Sequence, residues 1–258
     1  MLILLSPAKT MDFSPHGLAE SSVSDFLDVS DELIDNLQKK TPEDLSALMG
    51  VSPKIAALNV DRFNTYKAPR IQGPDVKQAL FAFKGDVYRD WPLADYNADD
   101  LQFAQNHLRI LSGLYGLLRP LDLIRPYRLE MGTPLLTEKG KGLYQFWGSR
   151  LTDAINTQME PMDDPFVVNL ASNEYFKAVK KKELNVPVVT PVFKDWKNGR
   201  YKIISFFAKR ARGAMAHHLL KERVSTREAL LEFTGMGYGF SPEGSTPDAP
   251  LFLRKTDH

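Results

Sequence analysis

The 258-residue chain carries 33 Lys+Arg against 32 Asp+Glu, so no global charge draws it to a polyanion and any basic surface must come from local segregation. It has no cysteine, which excludes disulfides, thiolate metal sites and cysteine nucleophiles and fits a reducing compartment. The apolar start Met1 to Leu5 is too short to cross a membrane and lacks a basic n-region or cleavage site, so a soluble cytoplasmic protein forming one domain over 1–258 is expected.

Leu2 to Leu5 is a continuous apolar run, the pattern of a buried strand, and Lys9 follows it at a strand end. Phe26, Val29, Leu33, Ile34 and Leu37 predict a helix within 23–40. Thr41-Pro42-Glu43-Asp44 combines a cap, a first-turn proline and two acids, and Ser52-Pro53 repeats the cap and proline, so two helices are expected on either side of Gly50 and Val51. Over 42–66 this resembles the helix-hairpin-helix motif of DNA-binding and repair proteins, with Ser52 standing where a second hairpin glycine is usual. A tight hairpin of this type aims backbone N–H groups at a phosphate, and Lys54 and Arg62 would add charge. Plain αα-hairpin architecture is the other reading.

The pattern predicts a short helix over 74–80, a buried strand over 79–83 ending near Lys84 and Asp86, and a helix over 99–115. At its end and beyond it, Arg109, Arg119, Arg125 and Arg128 stand among apolar residues, prolines and aromatics that include Tyr127. Proline stiffens the backbone at Arg119 and Arg125, and the guanidinium fork suits phosphate or carboxylate. The alternative is a structural loop whose arginines pair with Asp122 and Glu130. A helix over 141–158 and a strand over 165–170 follow, placing Asn169, Ser172 and Glu174 at the strand's carboxyl end.

Strands over 186–195 and 201–207 flank the hairpin signal Asn198-Gly199. The second runs into Lys209, Arg210 and Arg212, at the start of a helix expected from about 209. Cations there oppose the helix dipole unless an anion is present, a misfit typical of functional sites. The tail from Gly235 to Pro250 reads as a loose hairpin. His16, His107, His217, His218 and His258 show no metal-ligand spacing, and neither a P-loop nor a nucleophile elbow occurs.

Ser6 to Thr10, Phe83 to Tyr88, Leu108 to Gly132, Leu143 to Trp147, Asn169 to Ser172 with Glu174 to Lys177, and Ile203 to Gly213 together resemble the YaaA family of bacterial peroxide-stress-resistance proteins, over essentially the whole chain. The resemblance implies a cytosolic protein that protects against hydrogen peroxide and is associated with lowered free intracellular iron. It also implies DNA binding through a helix-hairpin-helix and a positively charged cleft, on an α+β (mixed α/β) single domain of unusual topology with a central sheet and surrounding helices; the partner expected is double-stranded or branched DNA, bound largely independently of sequence. Gly50, Val51 and Ser52 match the hairpin. Lys9, Lys84, Arg119, Arg125, Arg128, Lys209, Arg210 and Arg212 match basic family positions, here assigned to one cleft. No cofactor, metal or obligate protein partner is implied, and a monomer is expected. The second class of function is an enzyme acting on a nucleotide or nucleobase, with Asp86, Glu130, Asn169 and Glu174 as the polar candidates.

Overall fold

The computed structural model describes residues 1–255; His258 lies outside them. The central sheet contains β1 (Leu2–Leu5), β2 (Leu108–Ser112), β3 (Gly116–Leu118), β4 (Val167–Asn169) and β5 (Val188–Val189), in the order β5-β4-β1-β2-β3. β1 lies parallel to both β4 and β2, with Leu2 opposite Val167 and Ile3 opposite Leu108, and only β3 runs antiparallel. Every side chain of β1 is buried, as a central parallel strand covered on both faces requires.

Helices surround this sheet, giving the expected mixed α+β fold. α1 (Leu27–Leu37) buries Leu27, Leu33, Ile34 and Leu37. α2 (Pro42–Met49) begins in a capping box between Thr41 and Asp44 and ends at Gly50, whose φ of 61° is the left-handed conformation that glycine adopts without Cβ strain. α3 (Pro53–Asn64) starts three residues later under a Ser52 cap on the Ile55 N–H. These helix starts were readable because each cap is local chemistry.

Elsewhere, tertiary pairing overrides the sequence pattern. The helix expected over 99–115 ends early: α4 (Ala98–His107) stops where Leu108 takes extended angles and joins β1 as β2. The helix expected over 74–80 is instead a turn and a strand at Lys77–Gln78 paired with Leu123–Ile124. The strand expected over 79–83 is a helical turn, Ala79–Ala82, with extended backbone only at Phe83–Lys84. The helix over 141–158 divides at Gly148, φ 57°, into α5 (Leu143–Trp147) and α6 (Arg150–Met159).

A four-stranded sheet packs beside the first. Its strands β6 (Val192–Lys197), β7 (Arg200–Lys202), β8 (Gly239–Thr246) and β9 (Ala249–Arg254) are ordered β7-β6-β9-β8. The single strand expected over 186–195 is split between the two sheets around Pro191, which has no N–H for a ladder. β7 is shorter than expected because α7 (Ser205–Lys221) already begins at Ser205, where Ala208, Ala211 and Met215 face the core. Asn198, φ 54°, and Gly199, φ 77°, form the expected tight turn. One contiguous hydrophobic cluster runs from β1 and β2 through α7 to Phe193 and Phe252. Among the described residues no helix is long and apolar enough to cross a membrane.

Candidate functional site

After β1 the chain crosses to β2 on one side, and after β4 it crosses to β5 on the other. The loops leaving the carboxyl ends of β1 and β4 therefore diverge, and at such a switch point an open parallel sheet forms its ligand crevice. A cleft of about 720 Å³ opens there, lined by Ser6 to Thr10 after β1, Leu170 and Ser172 to Tyr175 after β4, the 84–87 loop, and Lys209 and Arg212 of α7.

The two strand-end loops are latched together. The Ser172 N–H donates to Ser6 Oγ at 2.8 Å, and the buried Tyr88 hydroxyl donates to the Ser6 carbonyl at 2.7 Å. Asn169 turns inward instead, accepting the Ala171 N–H at 3.1 Å and facing Thr190, so it shapes the loop and does not line the cleft. Gly213 holds α7 against the opposite wall, since a Cβ there would occupy the position of the Val87 carbonyl.

Lys9, Lys84, Lys209 and Arg212 all face this space. Lys84 has only a 4.0 Å contact with Asp12, whose carboxyl is held below its ordinary range chiefly by hydrogen bonding to Ser14. Lys9 meets Glu130 at 3.0 Å, and Glu130 also pairs with Arg128 at 2.9 Å, joining that arginine to the cleft's edge through a shared carboxylate. Lys209 and Arg212 make no ion pair among the described residues, and burial pulls the half-buried Arg212 guanidinium below its ordinary pKa. A desolvated cation without a carboxylate favours an incoming anion. Of the acids, Asp86 lines the cleft, and Glu174 lines it while accepting the Gly132 N–H at 3.0 Å. Tyr175 lines it too, its hydroxyl pushed up by burial. Sequence reasoning did not single out that tyrosine, although it directly follows Glu174.

The remaining arginines do not line the cleft. Arg119 binds the buried Asp122 at 3.0 Å, Asp25 at 3.2 Å and the Val23 carbonyl at 2.6 Å. Arg109 is buried and donates to the Gln105 and Leu108 carbonyls at the end of α4, with its pKa lowered by burial to about 10. The Arg125 N–H donates to the Tyr115 hydroxyl. Tyr127 is buried, with its hydroxyl 2.7 Å from Ser112 Oγ. Arg210 pairs with Asp90 at 2.9 Å.

The α2–α3 connection is a separate surface, since none of its residues lines the cleft. Gly50, Ser52 and Lys54 are exposed, Val51 is partly buried, and Arg62 is half-buried with its pKa lowered by burial. The Ser52 and Lys54 N–H groups have no acceptor among the described residues, leaving orphan donors at the start of α3.

Fold and site thus define a mixed α+β protein with a cation-lined cleft at the carboxyl edge of a parallel sheet. Residues 1–244 match the family model described as peroxide stress protein YaaA. UPF0246 proteins of Shewanella oneidensis and Shewanella halifaxensis are 54% and 53% identical to it over 256 residues, spanning 99% of each chain. The chain belongs to the YaaA peroxide stress family.

Proposed function

We propose that this protein is a cytoplasmic DNA-binding member of the peroxide stress response that grips the phosphodiester backbone with little regard to sequence. Protection against hydrogen peroxide, with lowered free intracellular iron, is the setting in which that binding acts. The observation that carries the reading is Arg212, half-buried and without a carboxylate partner among the described residues, facing the same cleft as Lys9, Lys84 and Lys209. The orphan amides at the start of α3 supply a second phosphate contact of the kind a helix N-terminus offers. Backbone contacts position a protein without reading bases. Affinity for duplex DNA should therefore fall steeply with salt, log K dropping by about 0.9 per log unit of salt for each phosphate neutralised. A titration that stayed flat from low to moderate salt would refute the proposal.

A second reading, an enzyme acting on a nucleotide or nucleobase, draws on Asp86 and Glu174 standing among cations at the switch point. Glu130 is less available, being shared by Lys9 and Arg128. Survival under hydrogen peroxide, paired with a DNA titration on Glu174→Gln and Glu130→Gln, separates the two readings. Loss of protection with binding retained favours catalysis; full protection favours binding alone.

A further inference from the structure

Three aromatic side chains stand out in solvent within a stretch of eleven residues: Trp196 is 38% exposed, Tyr201 37% and Phe206 41%. They are the exposed large aromatics among the described residues. Trp196 and Tyr201 are cross-strand partners at the tip of the β6–β7 hairpin, their ring centroids 5.0 Å apart and edge to face. Aromatic pairs of this geometry normally stabilise a sheet by covering one another, yet over a third of each of these side chains remains in water. Phe206 opens α7 five residues later, close enough that the chain keeps its Cα within about 18 Å of that of Tyr201.

Charge near these rings is mostly positive. The Lys255 ammonium lies 5.5 Å from the Trp196 ring centroid, and the next cross-strand pair, Lys197 opposite Arg200, alternates with Lys202 to the other face of the same narrow ribbon. Lys197, Arg200 and Lys202 make no ion pair among the described residues, while the neighbouring acid, Asp195, is buried and bound to Arg254. Arg210, 5.8 Å from the Phe206 ring, is the one cation of this group paired with an acid, Asp90. On the same helix Lys209 and Arg212 reach the cleft, about 4.5 and 9 Å of helix rise beyond Phe206. Flat apolar faces interleaved with unpaired cations complement unpaired bases strung on phosphate.

We infer that the Trp196–Tyr201 hairpin tip and Phe206 form a stacking platform for single-stranded nucleic acid, whose backbone runs along α7 toward the Lys209 and Arg212 side of the cleft. The inference rests on the DNA-binding reading and refines it, assigning to this face a segment with unstacked bases. Stacking reads no sequence, so it agrees with backbone-dominated binding.

Trp196 also reports on its own occupancy, because Trp91 and Trp147 are buried, at 7% and 0% exposed. The test titrates the full chain with an oligothymidylate of about twelve nucleotides, within the usual range of single-strand sites. An abasic oligomer of equal length, a duplex and vesicles of anionic phospholipid are run in parallel, all read by tryptophan fluorescence and by anisotropy. The oligothymidylate should quench Trp196 and bind at least about fivefold more tightly than the abasic oligomer, and Trp196→Ala with Tyr201→Ala should weaken it by about tenfold or more. Trp196→Phe should keep the affinity and lose the quenching. The hairpin tip is exposed, and unchanged circular dichroism establishes that the variants fold. Equal binding of both oligomers, or an alanine pair that binds like the parent, overturns the platform but leaves DNA binding standing. No binding to oligomers or duplex removes both. A Trp196 response to vesicles and not to oligothymidylate makes this face a membrane contact and overturns the inference.

Discussion

Between Arg109 and Arg128 the guanidinium groups are taken up largely by the protein itself, whereas from Lys197 to Arg212 all the cations but Arg210 are left for something else. In the first region Arg109 caps α4, Arg119 neutralises the buried Asp122, and Arg128 shares Glu130 with Lys9. In the second, Lys197, Arg200, Lys202, Lys209 and Arg212 have no acidic partner among the described residues. The richer arginine cluster is thus the less available one. What separates the two is acid at short range: Asp122 lies inside the first stretch and Glu130 two residues beyond it, and Asp195, the acid nearest the second, is spent on Arg254.

The largest effect expected from this contrast is on stability. Asp122 is almost fully buried and accepts from Ser22 Oγ, the Arg119 N–H and Arg119 Nε, while burial still pushes its carboxyl above the ordinary range. Asp122→Ala leaves the Arg119 charge and those donors short of a partner and should cost about 3–5 kcal/mol in denaturant unfolding. Lys209→Ala should stay within about 0.5 kcal/mol. Similar costs for both would erase the distinction.

Binding should respond in the opposite sense. Lys209→Glu with Arg212→Glu should weaken duplex binding by at least about tenfold and lower the salt slope by about 1 for each phosphate no longer neutralised. Arg119→Lys should leave affinity unchanged even as it lowers the melting temperature. An Arg119 variant with reduced DNA affinity while fully folded would move that arginine into the interface.

The hairpin between α2 and α3 tests whether orphan amides count as much as side-chain charge. Gly50→Val with Ser52→Val places a β-branched residue at a left-handed φ and removes a cap worth about 1 kcal/mol. DNA affinity should drop several-fold in the folded variant, and an unchanged titration would reduce the hairpin to architecture.

Smaller changes sharpen the edges of the comparison. Asp90→Asn releases Arg210, so it should raise DNA affinity slightly and cost less than about 1 kcal/mol of stability, as breaking a partly exposed pair does. His107, beside Arg109, has its pKa lowered by burial, with the N-terminal charge and Arg109 acting in the same direction. The unfolded chain therefore takes up this proton near pH 6.5, before the folded chain does. Stability should decline as pH falls from there until the folded form also protonates. His107→Gln should flatten that decline in melting curves recorded between neutral and mildly acidic pH.

Local chemistry made part of the molecule readable in advance. Thr41, Ser52 and Asn198-Gly199 each act on neighbours a few residues away, so two helices and a hairpin fell where expected. Leu108 to Ser112 did not, because its apolar spacing also suits a helix and only pairing with Ile3 to Leu5 resolves it. The strand-end loops were legible as polar segments, and Lys9, Lys84, Lys209, Asp86 and Glu174 do face one cleft. That Arg119 turns elsewhere depends on Asp122, and the course of the backbone at Arg125 depends on Tyr115; the burial of both partners is a property of the folded core.

The absence of a side chain at Gly213 acts on the cleft as a gauge. With α7 seated against the Val87 carbonyl, the span from Lys209 and Arg212 to the 84–87 loop is fixed before any ligand arrives. A jaw of set width gains no affinity by closing, so occupancy is governed by what fits and how fast charge delivers it. Gly213→Ala would wedge the jaw open without removing a single cation, separating the importance of spacing from that of charge.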